Sequence, residues 1–367
     1  MDSDRWSLLP RLLATYGTLL AGLKSAGATS VQIDEPCLAL DLPAGVLANT
    51  EDYYRGAFAK LAKAGLPLHL TTYFAALEDN LPLAFSLPVA SVHLDLVRAP
   101  QQLAAALPLI QPQPQPRQAL SLGIVDGRNI WVNDFERSRA LIDQAVAALG
   151  AERVFLAPSC SLLHVPVDAT GETRMQPVVR SWLAFAVQKL DELHALAAGS
   201  DLAFAEHATN RAAIASRAAA ESSRNEEVRA ALGALTASDY KRETPYARRA
   251  EAQAASLRLP PLPTTTIGSF PQTSEVRKAR AAWRSGQLPQ VDYRSFLENE
   301  TVRCLREQEN ASLDLLVHGE FERNDMVEYF GEQLQGFAFT QTAGCKATAR
   351  AASSRPSSTA TCTGPRP

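Results

Sequence analysis

The hydrophobic pattern of the first two hundred residues switches repeatedly between two periods. "LLPRLLATYGTLLAGLKSAG" (8–27) carries apolar residues at helical spacing and stops at Gly27. "ATSVQIDEP" (28–36) is a short β-rich run that ends in acids and a proline. The alternation continues with helical "YYRGAFAKLAKAG" (53–65), strand-like "LPLHLTTYF" (66–74) and the run "VASVHLDLVR" (89–98). A helix around "QQLAAAL" precedes the strand "QALSLGIVDG" (118–127). The helix "DFERSRALIDQAVAALG" (134–150) follows, with Asp134 as its predicted N-cap, and then strand-like "AERVFLAPSCSL" (151–162). Trp182–Ala197 reads as a long amphipathic helix.

Strand–helix units with short connections imply a parallel sheet covered by helices, an α/β fold. Polar residues gather where the five strands end: Asp34, Glu35, Thr71, Thr72, Asp95, Asp126, Ser159 and Cys160. A (β/α)8 TIM-type barrel places its functional residues there. A doubly wound open sheet would alternate similarly, but no G-x-G-x-x-G follows the first strand. Five strands do not close an eight-stranded barrel, so the N-terminal barrel is expected to be partial, with Met1 falling partway through it.

The organisation expected is a partial barrel over 1–197, a helical linker over 198–263, a second α/β unit over 264–341 and an irregular tail over 342–367. The linker is rich in Ala, Arg and Glu and ends at the break Pro260–Pro263. "TTTIGSFPQT" (264–273) and "LLVHGE" (315–320) read as the first strands of the second unit. After Gln341 the chain turns to Ala, Ser, Thr, Arg and Pro with no apolar period, the composition of disorder. "QPQPQPR" (111–117) is a stiff Pro-rich loop.

Charge adds a boundary. With 36 basic and 39 acidic residues the net charge is −3, which gives no electrostatic footprint for nucleic acid. No apolar run approaches a membrane span and the N-terminus lacks a cleavable-signal pattern, so a cytoplasmic protein is expected. The five cysteines are dispersed, with no CxxC. Thiols in apolar stretches, Cys37 among them, are expected to be buried in the core. Cys345 and Cys362 lack partners for a metal site, since no His follows His318. His69, His93 and His164 lie on different segments and read as ordinary polar or core histidines rather than a metal triad.

"TTTIGSFPQT", followed some fifty residues later by "HGEFERNDMVEYFGEQLQGFAF", is similar to the cobalamin-independent methionine synthase family. "GATSVQIDEPCLALDLP", "LTTYF", "LGIVDGRNIW" and "LAPSCSLLHVP" resemble blocks of its N-terminal barrel. The resemblance implies two (β/α)8 barrels and methyl transfer from 5-methyltetrahydropteroyl-polyglutamate to homocysteine. It implies zinc and no cobalamin. It places the amino-acid end of homocysteine or methionine on Ile267, Gly268, Ser269 and Glu320. The residue types suit that role. Glycine admits close backbone approach, a serine hydroxyl donates to a carboxylate, and a glutamate accepts from an ammonium group. Residue type alone favours Glu320 capping the next helix or pairing with Arg323, and the motif match reverses that preference.

The family's zinc ligands and catalytic His belong to later strands of its second barrel, and this chain has no segment matching them. In the first barrel the corresponding positions are Thr71, Tyr73, Asp95 and Cys160, with Arg128 at the catalytic His position. Two plausible ligands cannot complete a tetrahedral zinc site. The first barrel therefore reads as scaffold, Cys160 as buried or inert, and the chain alone as unable to turn over. The alternative is a non-catalytic fragment with a partial homocysteine/methionine site. A single-barrel methyltransferase or decarboxylase is disfavoured by two barrel starts in one chain. The abrupt tail resembles translation in a shifted reading frame, which the other frame of the gene would reveal.

Overall fold

The computed structural model describes residues 5–41, 44–110, 118–199, 204–220, 225–344 and 354–358. The Pro-rich loop 111–117, Cys345 and Cys362 lie outside them. The chain forms two compact units, the first built on residues 1–219 and the second on 220–340.

The first unit opens with α1 (Leu9–Ser25), β1 (Val31–Asp34) and α2 (Ala44–Leu61). Next come β2 (Leu68–Thr71), α3 (Leu81–Ser86), β3 (Ser91–Asp95) and α4 (Gln102–Ile110). β4 (Ala119–Val125), α5 (Phe135–Leu149), β5 (Val154–Pro158), α6 (Pro177–Arg180), α7 (Ala186–Ala198) and α8 (Phe204–Ala219) complete it. The five strands form one parallel sheet in the order β1-β2-β3-β4-β5. Every neighbour in space is a neighbour in sequence, so the order never reverses as it does at the switch point of a doubly wound sheet. Leu68, Leu70, Val92, Leu94, Leu120 and Leu122 are almost fully buried and form the centre of the core. β3 is buried at every position, as expected for a strand covered on both faces, whereas β1 alternates.

All five strands lie where the hydrophobic pattern puts them, and Asp134 caps α5 by accepting from Arg137 N–H at 3.1 Å. Three expectations change. The helix expected from Trp182 begins at Ala186, because residues 182–184 are drawn into pairing with the loop after β4. Val132 N–H donates to Trp182 C=O (2.9 Å) and Ala184 N–H to Ile130 C=O (2.8 Å). The linker expected over 198–263 is divided. Its first helix, α8, packs into the first unit through Asn210, which donates to Asn133 C=O at 2.7 Å, and Trp182 Nε1, which donates to Ser216 Oγ at 2.6 Å. Arg217 lies 3.6 Å above the Trp131 ring. Finally, Cys37 is exposed rather than buried; past the end of β1 the adjacent Leu38 takes the core position.

The second unit contains α9 (Glu226–Gly233), α10 (Tyr246–Leu257), α11 (Ser274–Arg284), α12 (Gln290–Asn310) and α13 (Met326–Gln333). β6 (Phe337–Gly344) pairs with β7 (Ser354–Ser358), so eight residues of the segment expected to be irregular, 342–344 and 354–358, lie in strands. A small core of Val276, Cys304 and Phe321, with Phe270, Phe296 and Leu297 against it, supports the two segments expected as strands. Those segments pair as a short parallel contact centred on Ser269 and Gly319.

Candidate functional site

The residues expected to form a site lie where Thr264–Phe270 runs beside Leu315–Glu320. Thr264 is pinned at one end, its N–H and hydroxyl both donating to Asp314 Oδ2 at 2.8 Å. Leu315 N–H donates to Thr264 C=O (3.0 Å), and Phe270 N–H to Gly319 C=O (2.9 Å). Gln308, buried on α12, holds the second segment by accepting from Val317 N–H (2.9 Å) and donating to Val317 C=O (2.7 Å).

Two glycines are needed here. Gly319 has φ +89, and a Cβ on it would lie 2.6 Å from the Phe321 ring. Gly268 has φ +116, and a Cβ there would lie 2.9 Å from Glu320 Oε1. The Glu320 carboxylate therefore packs directly over the Gly268 backbone. Glu320 itself is left-handed, at φ +59, a conformation that costs a non-glycine residue and is found where surrounding structure enforces it. The enforcing groups are visible. Glu320 N–H donates to His318 Nδ1 (3.2 Å), and Gln272 Nε2 donates to Glu320 C=O (3.5 Å). Arg280, on α11, is almost fully buried. Its Nη2 donates to Gln272 Oε1 (2.6 Å), Phe321 C=O (2.7 Å) and Arg323 C=O (3.4 Å).

The Glu320 side chain is bound at both oxygens by Arg323. Nη2 is in close contact with Oε1, and Nε donates to Oε2 at 3.0 Å. That pairing holds the carboxyl below its ordinary range, with the hydrogen bond from Arg323 as the main cause. Of the four residues expected here, Gly268 lies against the Glu320 carboxylate, Ser269 bridges to Gly319 through its backbone, and Ile267 projects into solvent at 93% exposure. Arg280 and Gln272 carry no signal in the sequence as site residues. Arg323 could be anticipated only as a cation three positions after Glu320.

The strand ends of the first unit are organised differently. Asp95 Oδ1 accepts from Val97 and Arg98 N–H (3.1 and 2.9 Å), and Oδ2 accepts from Phe74 N–H (3.0 Å). Cys160 is buried, and burial pushes its thiol up. Arg128 lies 4.6 Å over the Phe74 ring. His69 and His93 bond separate serines, Ser91 and Ser121. The set Thr71, Tyr73, Asp95 and Cys160 does not fit a zinc ion: the carboxylate is taken by backbone donors and the thiol is favoured in its protonated form. No group of three or more His, Cys, Asp or Glu among the described residues is placed to hold a metal.

A parallel α/β unit, followed by a second unit whose paired segments present a carboxylate over a glycine, defines an α/β protein with its polar residues at strand ends. Two models of one family match the chain. "Cobalamin-independent synthase, N-terminal domain" covers residues 1–150, and "Cobalamin-independent synthase, Catalytic domain" covers 262–364. The 5-methyltetrahydropteroyltriglutamate–homocysteine methyltransferase of Caulobacter vibrioides is 52% identical over 340 residues, 92% of this chain and 43% of that protein. The protein of the same name from Xylella fastidiosa strain M23 is 50% identical over 343 residues, again 92% of this chain and 44% of that protein. A solved B12-independent methionine synthase from Shewanella sp. W3-18-1, in complex with selenomethionine, is 14% identical with a TM-score of 0.33, covering 50% of this chain and 52% of that one. The chain belongs to the cobalamin-independent methionine synthase family. It spans under half the length of the curated relatives it matches.

Proposed function

We propose that this chain serves methionine formation, the transfer of a methyl group from 5-methyltetrahydropteroyl-polyglutamate to homocysteine, by holding the amino-acid end of homocysteine or methionine. The observation that carries the reading is the seating of the Glu320 carboxylate on Gly268, beside Ser269. Glu320 accepts from the ligand's ammonium group. The Ser269 hydroxyl and nearby N–H groups donate to its carboxylate. Gly268 lets both approach without a side chain in the way. The unreversed strand order of the first unit supports a partial (β/α)8 barrel there, with a second barrel beginning near residue 264. No helix among the described residues is long and apolar enough to cross a membrane, in keeping with a cytoplasmic setting.

Zinc, where this family uses it, would supply a thiolate from the substrate thiol. The chain's described residues do not fit it, so the chain is expected to bind without turnover. Calorimetry with L-methionine tests the reading. Binding that weakens at least tenfold in Glu320→Gln is expected, with no methionine produced from both substrates and added zinc. Methionine binding that is absent, or indifferent to Glu320→Gln, removes the assignment.

A further inference from the structure

We propose that Arg323 is an internal competitor for Glu320, which an amino-acid ligand displaces to seat its ammonium group; the inference rests on the assignment of Glu320 made above. One guanidinium engages both carboxylate oxygens, the bidentate arrangement that is strongest between these groups. The two side chains are only 18% and 21% exposed, so water screens the pair incompletely. The carboxylate's other flank lies against Gly268. An ammonium group arriving beside Ser269 meets a carboxylate whose charge is already neutralised, and sharing it would set two cations at contact distance.

The displaced guanidinium has somewhere to go. A cavity of about 330 Å³ lies between α11, α12 and α13, with Arg323 in its wall. The same wall holds Glu322, Asp325, Glu328 and Glu332. Glu322 already acts on the Arg323 charge. Glu328 and Glu332 face Arg284 at 3.6 and 3.3 Å, which leaves Glu322 and Asp325 as the carboxylates of this cavity for the displaced guanidinium. Rotation about the Arg323 side chain trades one ion pair for another and leaves no charge stranded. Arg280 donates to the Arg323 backbone carbonyl at 3.4 Å, an anchor that lets the side chain turn without moving the backbone. The device selects for a free amine, because a ligand without one gains nothing by evicting Arg323.

The test is calorimetry on the full chain with L-methionine and N-acetyl-L-methionine, which lacks the ammonium charge. Arg323→Ala is expected to bind L-methionine at least tenfold more tightly than the wild type and to leave N-acetyl-L-methionine unmoved. Arg323→Lys, restricted to a single-point contact, is expected to fall between the two, and it decides the question if the alanine variant does not fold. Unchanged or weaker methionine binding in the Arg323 variants, with Glu320→Gln still abolishing it, overturns the competitor and leaves the site standing. Binding indifferent to Glu320→Gln in every background, or absent from wild type and variants alike, overturns both.

Discussion

Glu192 and Lys189 lie one turn apart on α7, and both are buried. Lys189 Nζ donates to Trp131 C=O at 3.1 Å, and Glu192 Oε1 accepts from Asn133 N–H at 2.7 Å. Glu192 Oε2 has no hydrogen-bond partner among the described residues. Burial pushes this carboxyl up to about 7. The folded state thus binds a proton that the unfolded chain, titrating near the ordinary 4.5, has already lost. The stability this proton contributes is complete below about 4.5 and is lost as pH rises through 7. A shift of this size corresponds to about 3 kcal/mol. Glu192→Gln keeps the acceptor for Asn133 without the charge. It should raise the stability of the first unit by about 1–3 kcal/mol at pH 8, the lower figure allowing for the lost attraction to Lys189. At pH 4.5 it should change little. Urea melts at the two pH values check this, and an equal shift at both would show that the charge is not the cause.

Among the elements, α11 does most to shape the site, through Arg280. Its three bonds through Nη2 hold the turn that carries Glu320, and alanine there would strand two backbone carbonyls and the Gln272 amide oxygen. Arg280→Ala should destabilise the second unit by about 2–3 kcal/mol and speed amide exchange at Phe321 and Arg323. Normal exchange at those amides would mean that the turn holds itself. Sequence reasoning could not reach this residue, since nothing distinguishes one arginine of "SEVRKARAAWR" as buried. It did reach the strands of the first unit. Their apolar runs, such as "SVHLD" and "ALSLGIV", are buried at nearly every position, so pattern and structure report the same physics. It missed the docking of α8, because an Ala- and Arg-rich helix reads as exposed and the residues that fix it are polar: Asn210, Ser216 and Arg217. The glycines and Glu320 were legible as a motif, whereas the positive φ of Glu320 and its bidentate partner follow from tertiary contacts alone.

At the scale of the whole molecule, the two units differ in how much apolar surface they hold. The first encloses a continuous core running from Leu20 to Leu196, and among the described residues the second buries little apolar surface beyond Val276, Tyr293, Cys304 and Phe321. Burial of apolar area dominates stability, so the second unit should unfold first. Tryptophans report on each. Trp131 and Trp182 belong to the first unit, and Trp283, stacked on Tyr293 at 4.8 Å, belongs to the second. A urea melt followed by fluorescence should show two transitions, the earlier one removed by Trp283→Phe. L-Methionine at a hundred times its Kd should shift only that earlier transition, by about 2.7 kcal/mol, since a ligand stabilises the unit that binds it. A shift in the Trp131 and Trp182 signal instead would move the amino-acid site to the first unit. A single transition for all four tryptophans, Trp6 of the first unit among them, would show that the smaller core borrows its stability from the larger one.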